Sequence, residues 1–180
     1  MNTNLYLFLE NLIFLIVVTS FLAIVSWAWK DLKPFSLPEP LPGWFKIWFG
    51  TVQVLGGLLP LAVILLWGVL WGDQRVLTVL IPYFVMLAFQ IISEILTLRR
   101  FHSVVWVMVP YLYLPYRIWQ LYEGWIFINP QINLNWLGNL LILEIIVWTV
   151  NYALDLAQLP RLLRWQIQEN NQIENSELSV

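Results

Sequence analysis

The chain contains 180 residues, of which 60% are hydrophobic and 11% charged, and its mean hydropathy is +0.73. So few polar residues cannot coat a water-soluble globule of this size, which excludes a soluble domain and predicts a protein that lies in a lipid bilayer. The net charge of −2 offers no basic face for nucleic acid, and the absence of cysteine excludes disulfides, thiolate metal sites and a thiol nucleophile.

Five hydrophobic segments follow one another along the chain, and each has the length of about 20 residues that a helix needs to cross a bilayer. They cover residues 11–29, 47–72, 76–98, 103–127 and 134–159. We therefore predict an all-α, polytopic membrane helix bundle of five transmembrane helices. The transmembrane domain covers residues 1–160, and the polar composition of residues 161–180 predicts a disordered tail.

The fourth segment is ambiguous, because Arg117, Gln120 and Glu123 could equally form the polar side of a helix that lies in the interface. That arrangement would leave four spans. The positions of lysine and arginine favour five spans, since basic residues concentrate in the cytoplasmic loops. With five spans, seven basic residues share one side against Arg75 alone, whereas four spans divide the basic residues six to three. The five-span arrangement places the N-terminus outside and the tail in the cytoplasm. The seven basic residues are Lys30, Lys33, Lys46, Arg99, Arg100, Arg161 and Arg164.

Polar residues inside the segments form two pairs with helical spacing. Gln90 and Glu94 are four residues apart, and so are Asn151 and Asp155, so each pair lies on one helical face. Glu144 precedes Asn151 by two helical turns and continues that face. Such residues are functional candidates, although polar contacts between helices also serve as packing contacts.

Arg117 and Glu144 are predicted to lie at the same depth. Each is ten residues from the outer end of its segment, and the two segments run antiparallel. An unpaired charge at that depth costs about 2.5–3.5 kcal/mol. We therefore predict an ion pair between Arg117 and Glu144, at one end of a polar column through the bundle.

Two prolines predict a cavity beside the fourth segment. Pro110 and Pro115 each lack a backbone donor and can bend a helix, which would open a space toward the second or third segment, lined by Tyr113 and Gln90. The candidate ligand-binding residues are Gln90, Glu94, Tyr113, Arg117, Glu144, Asn151 and Asp155.

Catalytic and metal-binding patterns are largely missing from the sequence. His102 is the only histidine, and no nucleophile motif or glycine-rich phosphate loop is present, so we expect no cofactor and no metal site. Glu94 and Asp155 could act as an acid and base pair, but nothing in their spacing requires it. The sequence thus leaves enzymatic activity open and favours its absence.

Two stretches resemble the EXPERA-domain membrane family, which includes the emopamil-binding protein and the sigma-2 receptor. They are "LPEPLPGWFKIWFG", with Trp44-Phe45-Lys46, and "VPYLYLPYRIW", with Pro110-Tyr111 and Pro115-Tyr116, within residues 30–124. The resemblance implies a helical bundle whose cavity holds a lipophilic molecule. The chain departs from the family at Gln53, where an acid is expected, in having no histidine inside a segment, and in its additional fifth segment.

Two functions remain open from the sequence. The first is a membrane protein that binds a sterol-like or isoprenoid molecule in an intramembrane cavity. The second is a non-enzymatic assembly or scaffold subunit whose polar residues only fasten the helices and whose partners are other membrane proteins. A small transporter is less favoured, because no inverted repeat is visible. In each case the bilayer is a partner and nucleic acid is not.

Overall fold

The computed structural model describes residues 3–30, 34–35, 43–128 and 135–162, and every regular element in these ranges is helical. Of the predicted tail, Arg161 and Leu162 belong to the last turn of the final helix, and the remainder lies outside the described residues. The helices are α1 (Thr3–Ala28), α2 (Gly43–Leu70), α3 (Gln74–Ile95), α4 (Met108–Ile128) and α5 (Asn135–Leu162).

Within the described ranges, four helical runs are long and apolar enough to cross a bilayer, which together with the all-helical structure is compatible with a multi-pass membrane protein. The fourth predicted segment forms α4, which is not one of these four runs. Its 21 residues carry the polar side chains of Arg117, Gln120 and Glu123, which lower its hydropathy. The four runs are Phe8–Ala28, Gly43–Leu70, Gln74–Arg99 and Asn135–Leu162.

Consecutive helices run antiparallel, because residue numbers rise along one helix while they fall along its neighbour. Arg117 of α4 lies against Trp148 of α5, whereas Tyr111, earlier on α4, donates a hydrogen bond to the Asp155 carbonyl, later on α5. The same relation holds between α3 and α4. Since α4 packs most extensively against α5 and next against α3, it lies inside the bundle rather than beside it.

Only one of the two prolines in the fourth segment lies in a helix interior. Because α4 begins at Met108, Pro110 falls in its first turn, where a backbone N–H needs no partner within the helix. Pro110 lies where a 3-10 turn over Val104–Val107 joins α4, and the bend that the sequence predicted there stays a prediction. Pro115 does lie in the interior of α4, and its side chain is exposed.

The main hydrophobic core lies among α2, α3, α4 and α5, where small residues let the helices approach closely. A Cβ atom on Gly56 would lie 2.7 Å from the Trp148 ring, and one on Gly124 would lie 2.7 Å from the side chain of Val79. Helix α1 is packed against this bundle through a separate, smaller cluster that includes Leu22. The bundle therefore consists of four closely packed helices and one peripheral helix.

Candidate functional site

Arg117 is fully buried at the centre of the bundle. Its Nη2 atom donates a hydrogen bond of 2.6 Å to Oε1 of Gln90 on α3. Its guanidinium carbon lies 4.3 Å from the centre of the Trp148 ring and 5.6 Å from that of Tyr83, so the cation is stacked on aromatic faces. The Nε and Nη1 atoms have no hydrogen-bond partner among the described residues. Gln90 and Trp148 thus replace the carboxylate that the sequence predicted as the direct partner.

The predicted ion pair between Arg117 and Glu144 is wrong as a direct contact. Glu144 is fully buried, but neither of its carboxylate oxygens has a hydrogen-bond partner in the described part of the chain. Its electrostatic neighbours are Trp148, Arg117 and Tyr83. The reason is geometric: side chains tilt toward the N-terminus of their own helix, so level residues on antiparallel helices lean apart.

A chain of hydrogen bonds links three helices beside Arg117. Trp148 on α5 donates from Nε1 to the Tyr83 hydroxyl at 2.9 Å, and Tyr83 on α3 donates to the carbonyl oxygen of Gly56 on α2. In a regular α-helix that carbonyl would accept from residue 60, but Pro60 has no N–H, and the helix takes a π form over Val54–Leu58. The Tyr83 hydroxyl therefore supplies a donor that α2 itself lacks.

Sequence reasoning did not include Tyr83, Trp148 or Gly56 among the candidate site residues. Two signals point to them in the sequence. Pro60 follows Gly56 by four residues and frees its carbonyl oxygen, and Trp148 lies well inside its segment rather than near an end. Neither signal identifies Tyr83 as the partner, because that contact depends on how α2, α3 and α5 pack.

The two predicted polar pairs each lie on one helical face, as expected. Gln90 donates from Nε2 to Oε1 of Glu94 at 2.7 Å, and Asn151 donates from Nδ2 to Oδ2 of Asp155 at 3.1 Å. Gln90 joins Glu94 to Arg117. Asn151 instead accepts a hydrogen bond from the indole of Trp48 at 3.1 Å. The structure therefore places Glu94 in the Arg117 network and gives Asn151 and Asp155 other hydrogen-bond partners.

Tyr113 contacts α3 from the interior of the bundle. The residue is buried, and its hydroxyl oxygen lies 3.3 Å from Oγ of Ser93 on α3. Ser93 and Thr97 line a cleft, whereas Gln90, one turn earlier on α3, bonds to Arg117. Tyr113 thus does not line the cleft but contacts Ser93, which does.

The cleft lies between α1 and the C-terminal end of α3, and its volume is about 600 Å³. It is lined by Leu22 and Ala23 of α1, by Leu96 of the π turn Leu96–Arg100 that follows α3, and by His102 and Ser103. We call this space the α1–α3 cleft. Its position differs from that of the predicted cavity, which was expected between the fourth helix and the second or third and lined by Gln90.

His102 has an unusual backbone conformation at the end of the cleft. Its φ angle is +47°, in the left-handed region that residues other than glycine seldom adopt. Two backbone hydrogen bonds hold this turn: Phe35 N–H donates to the His102 carbonyl at 2.7 Å, and Ser103 N–H donates to the Thr97 carbonyl at 2.8 Å. The position of His102 in the cleft is therefore set by the backbone.

A family model matches most of the chain, but it does not identify an activity. The chain belongs to a family defined by a domain of unknown function (DUF7733), whose model matches residues 3–157 and so extends from α1 into α5. Neither a curated protein nor a solved structure matches the chain. Among the described residues, no group of three or more histidine, aspartate and glutamate side chains could hold a metal ion.

Proposed function

We propose that this member of the DUF7733 family binds a lipophilic molecule of sterol-like or isoprenoid size in the α1–α3 cleft. The observation that carries the proposal is the cleft itself. Its volume of about 600 Å³ falls within the range of about 300–1,000 Å³ that is usual for small-molecule sites. Leu22, Leu96 and Phe101 supply an apolar wall, and Ser93 and Thr97 supply hydroxyl groups at a few points, as such sites require.

The packing of α1 supports entry of the ligand from the bilayer. Only 11% of the most apolar window of α1 is buried, compared with 33% for the run that contains α3. A helix with so few contacts can separate from its neighbours at small cost. An apolar molecule dissolved in the lipid can then reach the cleft sideways, without passing through water.

The packing of α4 supports a fifth crossing and thus the predicted topology. Its 21 residues extend over about 30 Å, at about 1.5 Å per residue, which matches the thickness of the hydrocarbon core. An interfacial helix would turn Arg117 toward the head groups, whereas Arg117 is fully buried between α3 and α5. We therefore propose five crossings, with the N-terminus outside and the C-terminus in the cytoplasm.

Reporter fusions at the two termini test this topology. A reporter that is active only outside the cytoplasm should function at the N-terminus and fail at the C-terminus, and a cytoplasmic reporter should show the reverse pattern. If both termini lie on one side, α4 does not cross and the five-span proposal is wrong.

The lipid that co-purifies with the protein tests the binding proposal. Ala23→Phe adds an aromatic ring to the cleft wall, and Ala62→Phe adds the same ring at an exposed position of α2 outside the cleft lining. Mass spectrometry of both purified variants and the unmodified protein compares the lipids that each retains. We expect a stoichiometric isoprenoid or sterol-like molecule with the unmodified protein and Ala62→Phe, and its loss with Ala23→Phe.

Two results would contradict the binding proposal. The first is retention of the same molecule by Ala23→Phe, since a ligand in the cleft must compete with the new ring. The second is the presence of bulk phospholipid alone together with a stable protein partner, which would favour the assembly or scaffold function.

A further inference from the structure

We infer that the ligand of the α1–α3 cleft carries an anionic head group of the phosphate type on an apolar chain. This inference rests on the proposed function and specifies the chemical class of the ligand. The described lining residues include Lys30 and His102 and contain no carboxylate. A site built for a neutral sterol needs no cation, and a site built for a cationic amphiphile needs an acid, so the lining favours an anion.

The lysine and the histidine of the lining lie at one end of the cleft, whereas the hydroxyl groups of Thr19, Ser93 and Thr97 lie farther along it. Lys30 follows the last turn of α1, and His102 and Ser103 follow the π turn that ends the α3 run. Ser26, one turn before Lys30 on α1, adds a hydroxyl donor to this end. The lining therefore offers an ammonium, an imidazole and hydroxyl groups within one region, a donor set that suits phosphate oxygens.

The apolar part of the cleft extends away from this end. Leu22 and Ala23 of α1 lie about two turns before Lys30, and Leu96 lies six residues before His102. Trp27 and Trp29 line the polar end, which is the position of aromatic residues at a membrane interface. A phosphate at the interface and an apolar chain along Leu22 and Leu96 match this gradient.

The backbone at His102 fixes the place of this residue at the end of the cleft. A residue other than glycine in the left-handed region costs about 1–3 kcal/mol and persists only where its surroundings hold it. The hydrogen bonds from Phe35 N–H and to the Thr97 carbonyl provide that support. The bond from Ser103 N–H to the Thr97 carbonyl is a pattern found at helix C-caps, so the end of this helix accounts for the positive φ of His102 and places the residue in the lining of the cleft.

Matched pairs of lipids test the inference on the purified full-length protein in neutral detergent. Dioleoyl phosphatidic acid and dioleoylglycerol differ only in the phosphate, and farnesyl phosphate and farnesol repeat the comparison on a single isoprenoid chain. Binding is measured by titration with native mass spectrometry and by the shift in unfolding temperature. We expect each phosphate lipid to bind about tenfold more tightly than its neutral partner, because its charged head gains hydrogen bonds to Lys30 and the neighbouring donors.

Two substitutions locate the phosphate. Lys30→Met should weaken binding of the phosphate lipids by about tenfold and leave the neutral lipids unchanged. Lys46→Met is the matched control, because Lys46 is exposed near the start of α2 and does not line the cleft. His102→Asn removes the imidazole but introduces a residue that tolerates the left-handed region. It should also weaken binding of the phosphate lipids and leave binding of the neutral lipids unchanged.

Four results overturn the inference, and they separate it from the proposed function. Equal binding of phosphate and neutral lipids would refute the anionic head group but leave the lipophilic ligand standing. No binding of any lipid would refute both. Competition by inorganic phosphate as strong as that by phosphatidic acid would show that the phosphate need not belong to a lipid. Unchanged selectivity in both Lys30→Met and His102→Asn would show that Lys30 serves only as an interfacial anchor.

Discussion

Helix α1 and the bundle of α2 to α5 are held in place by different interactions. In the bundle, aromatic rings and branched side chains pack directly on glycines, and the side chains of Arg117 and Glu144 are fully buried. Helix α1 instead meets α4 through partly exposed contacts, such as Asn11 Oδ1, which accepts from Gln120 Nε2 at 2.7 Å, and the ring of Phe14, stacked on Tyr116. The comparison shows that the cleft lies where the closely packed bundle meets the less buried α1.

This difference has a physical basis in the bilayer. Lipid tails are as apolar as leucine, so an apolar helix surface gains little by leaving lipid for protein. Helices associate through close packing and polar contacts, which the bundle has in abundance and α1 has at few points. A ligand can therefore take the place of lipid beside α1 without disturbing the core, and changes in the two regions should differ in size.

The largest effect is expected from Arg117→Met. The substitution leaves the carboxylate of Glu144 without a nearby cation and Gln90 Oε1 without its donor, and it should lower the free energy of unfolding by about 3–5 kcal/mol. Thermal and denaturant unfolding in detergent measure the change. Arg99→Met serves as the control, because Arg99 is exposed. This substitution should lower the free energy of unfolding by less than about 0.5 kcal/mol. Equal losses in the two variants would refute a central role for Arg117.

Double-mutant cycles should identify the partner of Arg117. Because the hydrogen bond to Gln90 is direct, the effects of Arg117→Met and Gln90→Leu should fall short of additivity by about 1–2 kcal/mol. Arg117→Met with Glu144→Gln should also be non-additive, but by less, since the two groups interact without a hydrogen bond. Strict additivity for the Gln90 cycle would contradict the observed network.

Two adjacent glycines provide a matched test of packing in the core. A Cβ on Gly56 would lie 2.7 Å from the Trp148 ring, whereas nothing lies within 4 Å of a Cβ on Gly57. Gly56→Ala should therefore destabilise the protein by about 1–3 kcal/mol. Gly57→Ala should be neutral or stabilise α2 by up to about 1 kcal/mol, because alanine favours a helix. The same unfolding measurement compares the two variants. Equal effects on stability would mean that Trp148 is not packed closely against Gly56.

The smallest effect is expected at the attachment of α1. Asn11 Oδ1 accepts hydrogen bonds from the Tyr116 hydroxyl and from Gln120 Nε2, and Asn11→Ala removes both. The free energy of unfolding should fall by about 0.5–1 kcal/mol, because these groups are only partly buried. Hydrogen exchange should quicken at the amides of α1 and stay unchanged in α3. Asn139→Ala, at an exposed position of α5, is the control, and faster exchange throughout the bundle would show that α1 is not a separate unit.

Much of the architecture could be predicted from the sequence, because it depends on patterns along single helices. Hydrophobic runs of sufficient length predicted an all-α membrane protein. Four-residue spacing placed Gln90 beside Glu94 and Asn151 beside Asp155, since neighbours on one helical face are fixed by the helix repeat. Arg117, which the sequence predicted deep in its segment and paired with Glu144, is fully buried but bonded to Gln90 instead. The crossing of α4, the resemblance to the EXPERA family and the ligand class stay predictions.

Only the tertiary structure decided which side chains meet across helices. The sequence predicted Glu144 beside Arg117 from their equal depth, but side chains on antiparallel helices tilt in opposite directions, and Arg117 reaches Gln90 and Trp148 instead. The cleft likewise could not be predicted, because α1 and α3 are not neighbours in the chain. Residue spacing determines contacts within a helix, whereas contacts between helices depend on the rotation and depth at which each helix packs.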